Sequence, residues 1–159
     1  MTNEVQSDVF TVFVSHTTPV GKVMELLTGC QLGNMDAPWK VLNARVITPP
    51  ESSVETKMRL VPVTEDLQSR AAMDLIGSNQ SRPASIRELL TFLWTYPEEH
   101  LKYPIIALGE PPDEAGPIVA YSYVANGVRL IFIGRPSDTC KWEAGCRLLA
   151  IPVSGPPHF

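Results

Sequence analysis

The sequence lacks the features that would assign it to a nucleic-acid-binding or membrane-spanning class. Basic residues are not in excess, since 13 Lys+Arg stand against 17 Asp+Glu and the formal net charge is -4. A surface that neutralises many phosphates is therefore not expected, and nucleic acid is not a predicted partner. No apolar run approaches the ~20 residues that cross a bilayer, so no membrane contact is predicted either.

Cysteine is scarce, and its spacing does not match a metal site. Cys30, Cys140 and Cys146 are odd in number, and the last two lie six positions apart. That gap differs from the usual spacing of structural zinc ligands. The first residues also lack the basic-then-apolar order of a signal peptide. We therefore predict reduced thiols, a cytoplasmic location and no zinc.

Phosphate-binding and calcium-binding loop motifs are also absent. Segments 29–33 and 109–116 contain glycines but neither the G-x-G-x-x-G spacing nor a lysine-bearing phosphate loop, so we expect turns. Glu110, Asp113 and Glu114 gather in the second segment without the spacing of an EF-hand. The sequence therefore predicts a solvated acidic loop, no metal site and no cofactor.

Proline, in contrast, is abundant. The chain has 15 prolines in 159 residues, nearly twice the usual ~5%. Their pairing at 49–50, 111–112 and 156–157 predicts loops between short elements and a Pro-rich tail over 154–159.

The hydrophobic periodicity predicts the order β-α-β-β-α-α-β-β-β-β. The first strand has few polar positions and is expected to be central, and the two strands that follow the first helix are expected to form a hairpin-like pair. The predicted elements are a strand over 9–15, a helix over 19–28, strands over 41–48 and 57–63, helices over 65–76 and 86–96, and strands over 104–108, 118–124, 128–133 and 146–153.

Two local motifs are specific enough to fix element boundaries. Ser85 and Glu88 form a capping box, which starts a helix by satisfying two backbone N–H groups. Asn126-Gly127 supplies the left-handed backbone angles of a type I′ turn and predicts a hairpin between the strands on either side.

Together these elements predict one α+β domain over 1–159, with a largely antiparallel sheet and two or three helices on one face. Segment 77–83 resembles a linker in composition and is a candidate subdomain boundary. Each half alone would bury too small a core, which favours the single domain.

One histidine occupies a position typical of ligand sites. His16 follows the first predicted strand and precedes a helix start, where the Thr18 hydroxyl and free N–H groups could bind an anion. His16-Thr17-Thr18 resembles one half of the catalytic motif of the two-histidine phosphoesterases. That family uses two such motifs, and neither His100 nor His158 supplies the second. A strand-end histidine beside a threonine helix cap accounts for the same residues.

Aromatic side chains supply a second candidate site. Trp94, Tyr96 and Tyr103 flank the end of the capped helix, and helical spacing predicts Trp94 in the core. Tyr121 and Tyr123 share one face of a strand because they are two positions apart. We expect an aromatic patch or sheet edge that can meet a partner strand or a second copy.

No catalytic constellation in the sequence is complete. The sequence therefore predicts a small binding or interaction module whose partner is another protein or a second copy of the chain. The alternative is a small hydrolase or transferase in which His16 acts as general acid/base and Thr18 helps to bind an anion. The sequence does not define a small-molecule ligand.

Overall fold

The arrangement of strands and helices is given by a computed structural model, which describes residues 9–15, 30–35, 53–112, 114, 116–136 and 140–153. In these ranges the strands are β1 (Val9–Ser15), β2 (Cys30–Met35), β3 (Ser53–Pro62), β4 (Leu67–Gln68), β5 (Ser81–Pro83), β6 (Ile105–Ala107), β7 (Val119–Ala125), β8 (Val128–Gly134), β9 (Lys141–Trp142) and β10 (Arg147–Pro152). The α-helices are α1 (Ser69–Ser78) and α2 (Ile86–Thr95). Neither is long and apolar enough to span a lipid bilayer.

Eight of these strands form one sheet. The order is β1-β3-β10-β6-β7-β8-β2, and β5 pairs with β10 beside this path. The described pairs are antiparallel except β10 with β6 and β2 with β8. Strands β4 and β9 form a separate two-stranded ribbon. The predicted single α+β domain with a mostly antiparallel sheet is confirmed, and the sheet is curled.

Helix α2 begins at the predicted capping box. The Glu88 backbone N–H donates to Ser85 Oγ at 3.2 Å, and the Ser85 N–H donates to Glu88 Oε1 at 2.8 Å. The helix ends at Thr95, before Pro97, as its sequence predicts. Residues 86–93 are all buried, so protein surrounds this helix on every side.

The polar side chains of α2 keep hydrogen-bond partners in this buried position. Glu88 is 5% exposed and receives two hydrogen bonds from Arg82, at 3.0 and 2.7 Å. Arg87 donates to the Ser15 carbonyl at 3.0 Å, and the Thr91 hydroxyl donates to the Arg87 carbonyl at 2.8 Å. Burial of these groups is tolerated because their hydrogen bonds to water are replaced.

The two helices pack on opposite faces of the sheet. In β10, Leu149 and Ile151 belong to the core cluster that contains α2. Leu148 and Ala150 belong to the cluster that contains α1. Alternate residues of a strand point to opposite faces. The expectation of helices on one face is therefore not confirmed.

Strand β1 lies at the end of the sheet, which corrects the prediction that it is central. Its one partner among the described residues is β3. Val12 and Val14 are buried, whereas Phe13 between them is 62% exposed. The strand is rich in apolar residues, but only one of its faces contacts the core.

Side chains from α2 and its C-cap cover the outer edge of β1. The Tyr96 hydroxyl donates to the Thr11 carbonyl at 3.0 Å and accepts from the Thr11 N–H at 3.3 Å. Arg87 reaches the carbonyl of Ser15, at the far end of the strand. Arg87 and Tyr96 are nine helical positions apart, and their partners Ser15 and Thr11 are four strand positions apart. Both separations correspond to about 13.5 Å, so each side chain lies beside its partner. These contacts occupy backbone groups that an added strand would need.

The helix before α2 starts later than its apolar stripe predicts. Glu65 and Asp66 precede the short strand β4, which pairs with β9. Asp66 Oδ1 accepts the backbone N–H of Ala144 at 3.1 Å, so this carboxylate fixes the ribbon rather than the helix N-terminus. Helix α1 then includes Gly77, at which the prediction ended it.

Two segments that the sequence predicts as a turn and a linker contain strands. Most of segment 29–33 lies in β2, which pairs in parallel with β8. Within segment 77–83, β5 pairs with β10. The subdomain boundary stays a prediction. The predicted helix over 19–28, the strand over 41–48 and the tail over 154–159 lie outside the described residues.

The Asn126-Gly127 hairpin is confirmed. Both residues have positive φ, 53° and 78°, as a type I′ turn requires. The turn sets the register of β7 and β8, in which Ala125 pairs with Val128 and Tyr121 pairs with Phe132.

The backbone near Gly109 leaves no room for a side chain. A Cβ there would lie 2.3 Å from the Pro83 carbonyl oxygen. Gly109→Ala should therefore lower the free energy of unfolding by about 1–3 kcal/mol, measured by urea denaturation. Gly77→Ala is the matched control, because a Cβ at this helical position meets nothing within 4 Å. It should raise stability by about 0.5–1 kcal/mol, and equal effects of the two substitutions would contradict this packing.

The Tyr96 hydroxyl should contribute to stability through its two bonds to Thr11. Tyr96→Phe should lower the free energy of unfolding by about 1–2 kcal/mol, because both backbone groups lose their partner. Tyr123→Phe is the control, since the Tyr123 hydroxyl has no hydrogen bond to a described residue. A Tyr96→Phe protein as stable as Tyr123→Phe in urea denaturation would refute the role assigned to Tyr96.

Candidate functional site

The face of the sheet opposite α2 carries a group of aromatic side chains on β7 and β8. Ala120 and Ser122 are buried toward α2, so strand alternation places Tyr121 and Tyr123 on the other face. Phe132 joins them because it pairs directly with Tyr121 across the hairpin. These three side chains form the floor of a cleft, and we call them the aromatic floor.

The rings of the floor contact each other and one further ring. The Tyr121 ring stacks on the Phe132 ring, with centroids 5.1 Å apart. The centroid of the Tyr123 ring lies 5.5 Å from that of Tyr121. Trp142 meets Tyr121 edge to face at 5.6 Å. These distances are typical of favourable aromatic pairs. Tyr121 is therefore the ring that all the others contact.

Trp142 forms one wall of the cleft and is held by the β4–β9 ribbon. It is 6% exposed, and its indole Nε1–H donates to Ser69 Oγ at 3.0 Å, at the first residue of α1. The strand pairing of Leu67 with Trp142 fixes the same residue from the backbone. The floor and the wall thus come from two different strand pairs.

The cleft between floor and wall has a volume of about 600 Å³. That volume is within the range of sites for small ligands, about 300–1,000 Å³. The residues that line it beside the aromatic rings are apolar, charged or thiol-bearing: Pro104, Ile106, Val119, Arg135, Pro136, Cys140, Lys141, Glu143 and Cys146.

The two tyrosine hydroxyls of the floor are available as hydrogen-bond donors. Among the described residues, neither the Tyr121 hydroxyl nor the Tyr123 hydroxyl has a hydrogen-bond partner. Burial raises the pKa of Tyr121, and the neighbouring Tyr123 and Cys140 raise it further. The Tyr121 phenol is therefore protonated at neutral pH and can donate to a ligand.

Charged side chains lie among the cleft residues. The guanidinium of Arg135 donates to the Gly116 carbonyl at 3.2 Å. Lys141 and Glu143 are exposed on either side of Trp142, and neither forms an ion pair with a described residue. Among the described lining residues, two are cationic and one is a carboxylate.

Two free thiols line the same cleft. Cys140 and Cys146 are half-buried and pack beside the core cluster of this face. Burial raises the pKa of Cys146, partly offset by a hydrogen bond with the backbone of Glu143. A thiol with a raised pKa is a weak nucleophile at neutral pH, so Cys146 acts here as a packing residue.

The aromatic residues singled out in the sequence do not form one patch. Trp94 is 52% exposed at the last turn of α2, which corrects its predicted place in the core. Tyr96 and Tyr103 pack beside the core cluster of α2. The Tyr103 hydroxyl donates to Glu99 at 2.8 Å, and the Arg147 guanidinium lies 4.2 Å from its ring centroid. Only Tyr121 and Tyr123 reach the cleft.

Sequence reasoning missed two of the four cleft rings. A signal for Phe132 was present, because a two-residue turn at Asn126-Gly127 fixes which residues of the hairpin face each other. No comparable local signal exists for Trp142. Its position depends on the long-range pairing of β4 with β9.

Glu110 has a structural role rather than a place in a solvated acidic loop. Its Oε1 accepts the backbone N–H of Ile86 at 3.0 Å, at the first turn of α2. This carboxylate therefore stabilises the positive end of the helix dipole. Within the described ranges, no three His, Cys, Asp or Glu side chains are grouped as metal ligands would be.

The structure does not test the hypothesis that His16 is a general acid/base. His16 and Thr18 lie outside the described residues, and the backbone of His100 lies in the 3-10 turn Glu99–Leu101. The acid/base role of His16 and the anion-binding role of Thr18 stay predictions.

Comparison of the chain with protein families, with curated proteins and with solved structures finds no match in any of the three.

The raised pKa of Cys146 predicts slow alkylation. At pH 8 in a Cys30→Ser protein, iodoacetamide should modify Cys146 several-fold more slowly than cysteine in an unstructured peptide, measured by mass spectrometry of the digested protein. The rate should keep rising at pH values where the peptide thiol has reached its plateau. Unfolding in guanidinium should abolish the difference, whereas equal rates in the native state would show that burial does not protect this thiol.

Proposed function

We propose that the protein is a binding module whose ligand occupies the aromatic cleft. The observation that carries this proposal is the pair of neighbouring phenols, Tyr121 and Tyr123, whose hydroxyls have no partner among the described residues and which line an open cleft. The hydroxyls can fix the orientation of a bound ligand through hydrogen bonds, while the ring faces provide apolar contact area. Rings that contact one another also lose little conformational entropy when a ligand binds.

The face of the sheet that packs against α2 is less suitable for binding. Its apolar side chains are buried against α2, and the core there extends from β1 to β8. The edge of β1 is also covered, by Tyr96 and Arg87. Among the described surfaces, the cleft therefore combines apolar area, hydrogen-bond donors and access.

The ligand class follows from the lining of the cleft. The rings favour a ligand with a flat or ring-shaped apolar part, and the phenols and cations favour acceptor oxygens on that ligand. A protein partner or a second copy of the chain could present such groups, so self-association belongs to this proposal. We also propose, from the free thiols of Cys140 and Cys146, that the module works in the cytoplasm.

Tyr121 should dominate binding because every other cleft ring contacts it. Indole and benzoate serve as probes in ligand-observed NMR, and both should bind the native protein. Tyr121→Ala should weaken binding about tenfold or more, as for a buried aromatic residue at the centre of an interface. Trp94→Ala is the matched control, because it removes an exposed ring away from the cleft.

Two outcomes would overturn the proposal. One is that neither probe binds, and the other is that Tyr121→Ala and Trp94→Ala weaken binding equally. Sedimentation velocity of the same proteins tests self-association, which should decrease in Tyr121→Ala and not in Trp94→Ala.

A further inference from the structure

We propose that the cleft binds an extended, proline-rich peptide segment with an acidic residue beside its prolines. This inference rests on the proposed binding function and names the chemistry of the partner. Aromatic grooves recognise such segments because a polyproline II helix is already extended and loses little entropy on binding. Three features of the cleft favour such a segment: hydrogen-bonding complementarity, the span of the rings and charge.

Hydrogen-bonding complementarity is the first observation. The hydroxyls of Tyr121 and Tyr123 on the floor have no hydrogen-bond partner among the described residues, and the ammonium of Lys141 lies at the rim. All three can donate. A proline has no N–H, and the polyproline II backbone makes no internal hydrogen bonds, so its carbonyls are available as acceptors. A segment of this kind satisfies the donors without bringing donors of its own.

The span of the rings is the second observation. Tyr121 lies 5.1 Å from Phe132 and 5.6 Å from Trp142, so the outer two centroids are at most about 11 Å apart. One turn of a polyproline II helix advances about 9 Å over three residues. This upper limit accommodates one turn of the segment, with one proline against the floor and a second, three residues further on, toward the wall.

Charge is the third observation. Lys141 and Arg135 line the cleft, against one carboxylate from Glu143. Lys141 has no ion pair with a described residue, so a carboxylate on the peptide gains a partner without breaking an existing pair. This contribution is that of an exposed pair and is expected to weaken with salt.

The test uses the full chain labelled with nitrogen-15 and two synthetic peptides with blocked ends. The first peptide is a glutamate followed by five prolines, and the second has alanines in place of the prolines. The first peptide should shift the backbone amide resonances of Tyr121, Tyr123 and Phe132 and the indole N–H resonance of Trp142. The second peptide should bind at least tenfold more weakly. Added salt should weaken binding of the first peptide further.

Three variants make the test specific. Tyr121→Ala should weaken binding about tenfold or more. Tyr123→Phe keeps the ring and should cost about three- to tenfold, the value of one hydrogen bond, and it guards against misfolding of the first variant. Tyr103→Phe is the control, because it makes the same chemical change at a hydroxyl bonded to Glu99 outside the cleft. It should leave binding unchanged.

The outcomes separate this inference from the proposed function. If indole and benzoate bind but the proline peptide does not, or binds no better than the alanine peptide, the inference is wrong and the binding function stands. If none of the probes binds, both are wrong. Floor resonances that shift with protein concentration alone would identify a second copy as the occupant and would also refute the peptide.

Discussion

The burial of eight consecutive residues, 86–93, is the constraint on which this structure depends. Residues buried on all sides of a helix need protein around them, and the curled sheet from β1 to β8 contributes core side chains to that packing. This burial is tolerated because the polar residues of the helix have hydrogen-bond partners. Arg87 and Glu88 would each be costly to bury unpaired, and each has a partner outside the helix, at Ser15 and at Arg82. Core formation and the covering of the β1 edge are thus parts of one packing solution.

In the part of the chain that the structure describes, few elements cover the face of the sheet opposite α2. The single described helix on that face, α1, contributes Ala72 and Ile76 to a smaller core. Past that core, the alternation of β7 and β8 continues to direct large aromatic side chains outward. The three rings of the aromatic floor are half-buried, and the apolar area that they leave in contact with water is costly. The aromatic cleft is therefore the place where the fold leaves apolar area available for a ligand.

Local signals in the sequence were sufficient for some elements and insufficient for others. The capping box at Ser85 and the turn at Asn126-Gly127 were predicted correctly because their chemistry is complete within a few residues. The start of α1 was predicted too early, since a pairing with distant β9 competes for residues that favour a helix. The parallel strand β2 was missed for the same reason. In the cleft, Tyr121 and Tyr123 were found from their spacing, whereas Trp142 could not be, because its approach depends on tertiary structure.

The floor and the wall of the cleft belong to separate strand pairs, so substitutions in one need not disturb the other. The floor belongs to a hairpin whose other face is part of the main core, so its ring positions are tied to folding. The wall belongs to the β4–β9 ribbon, which contacts that core little. Changes at the exposed residues Lys141 and Glu143 can therefore alter ligand preference while the buried helix remains intact. The floor is thus constrained by folding, whereas the rim of the wall can be substituted at little cost in stability.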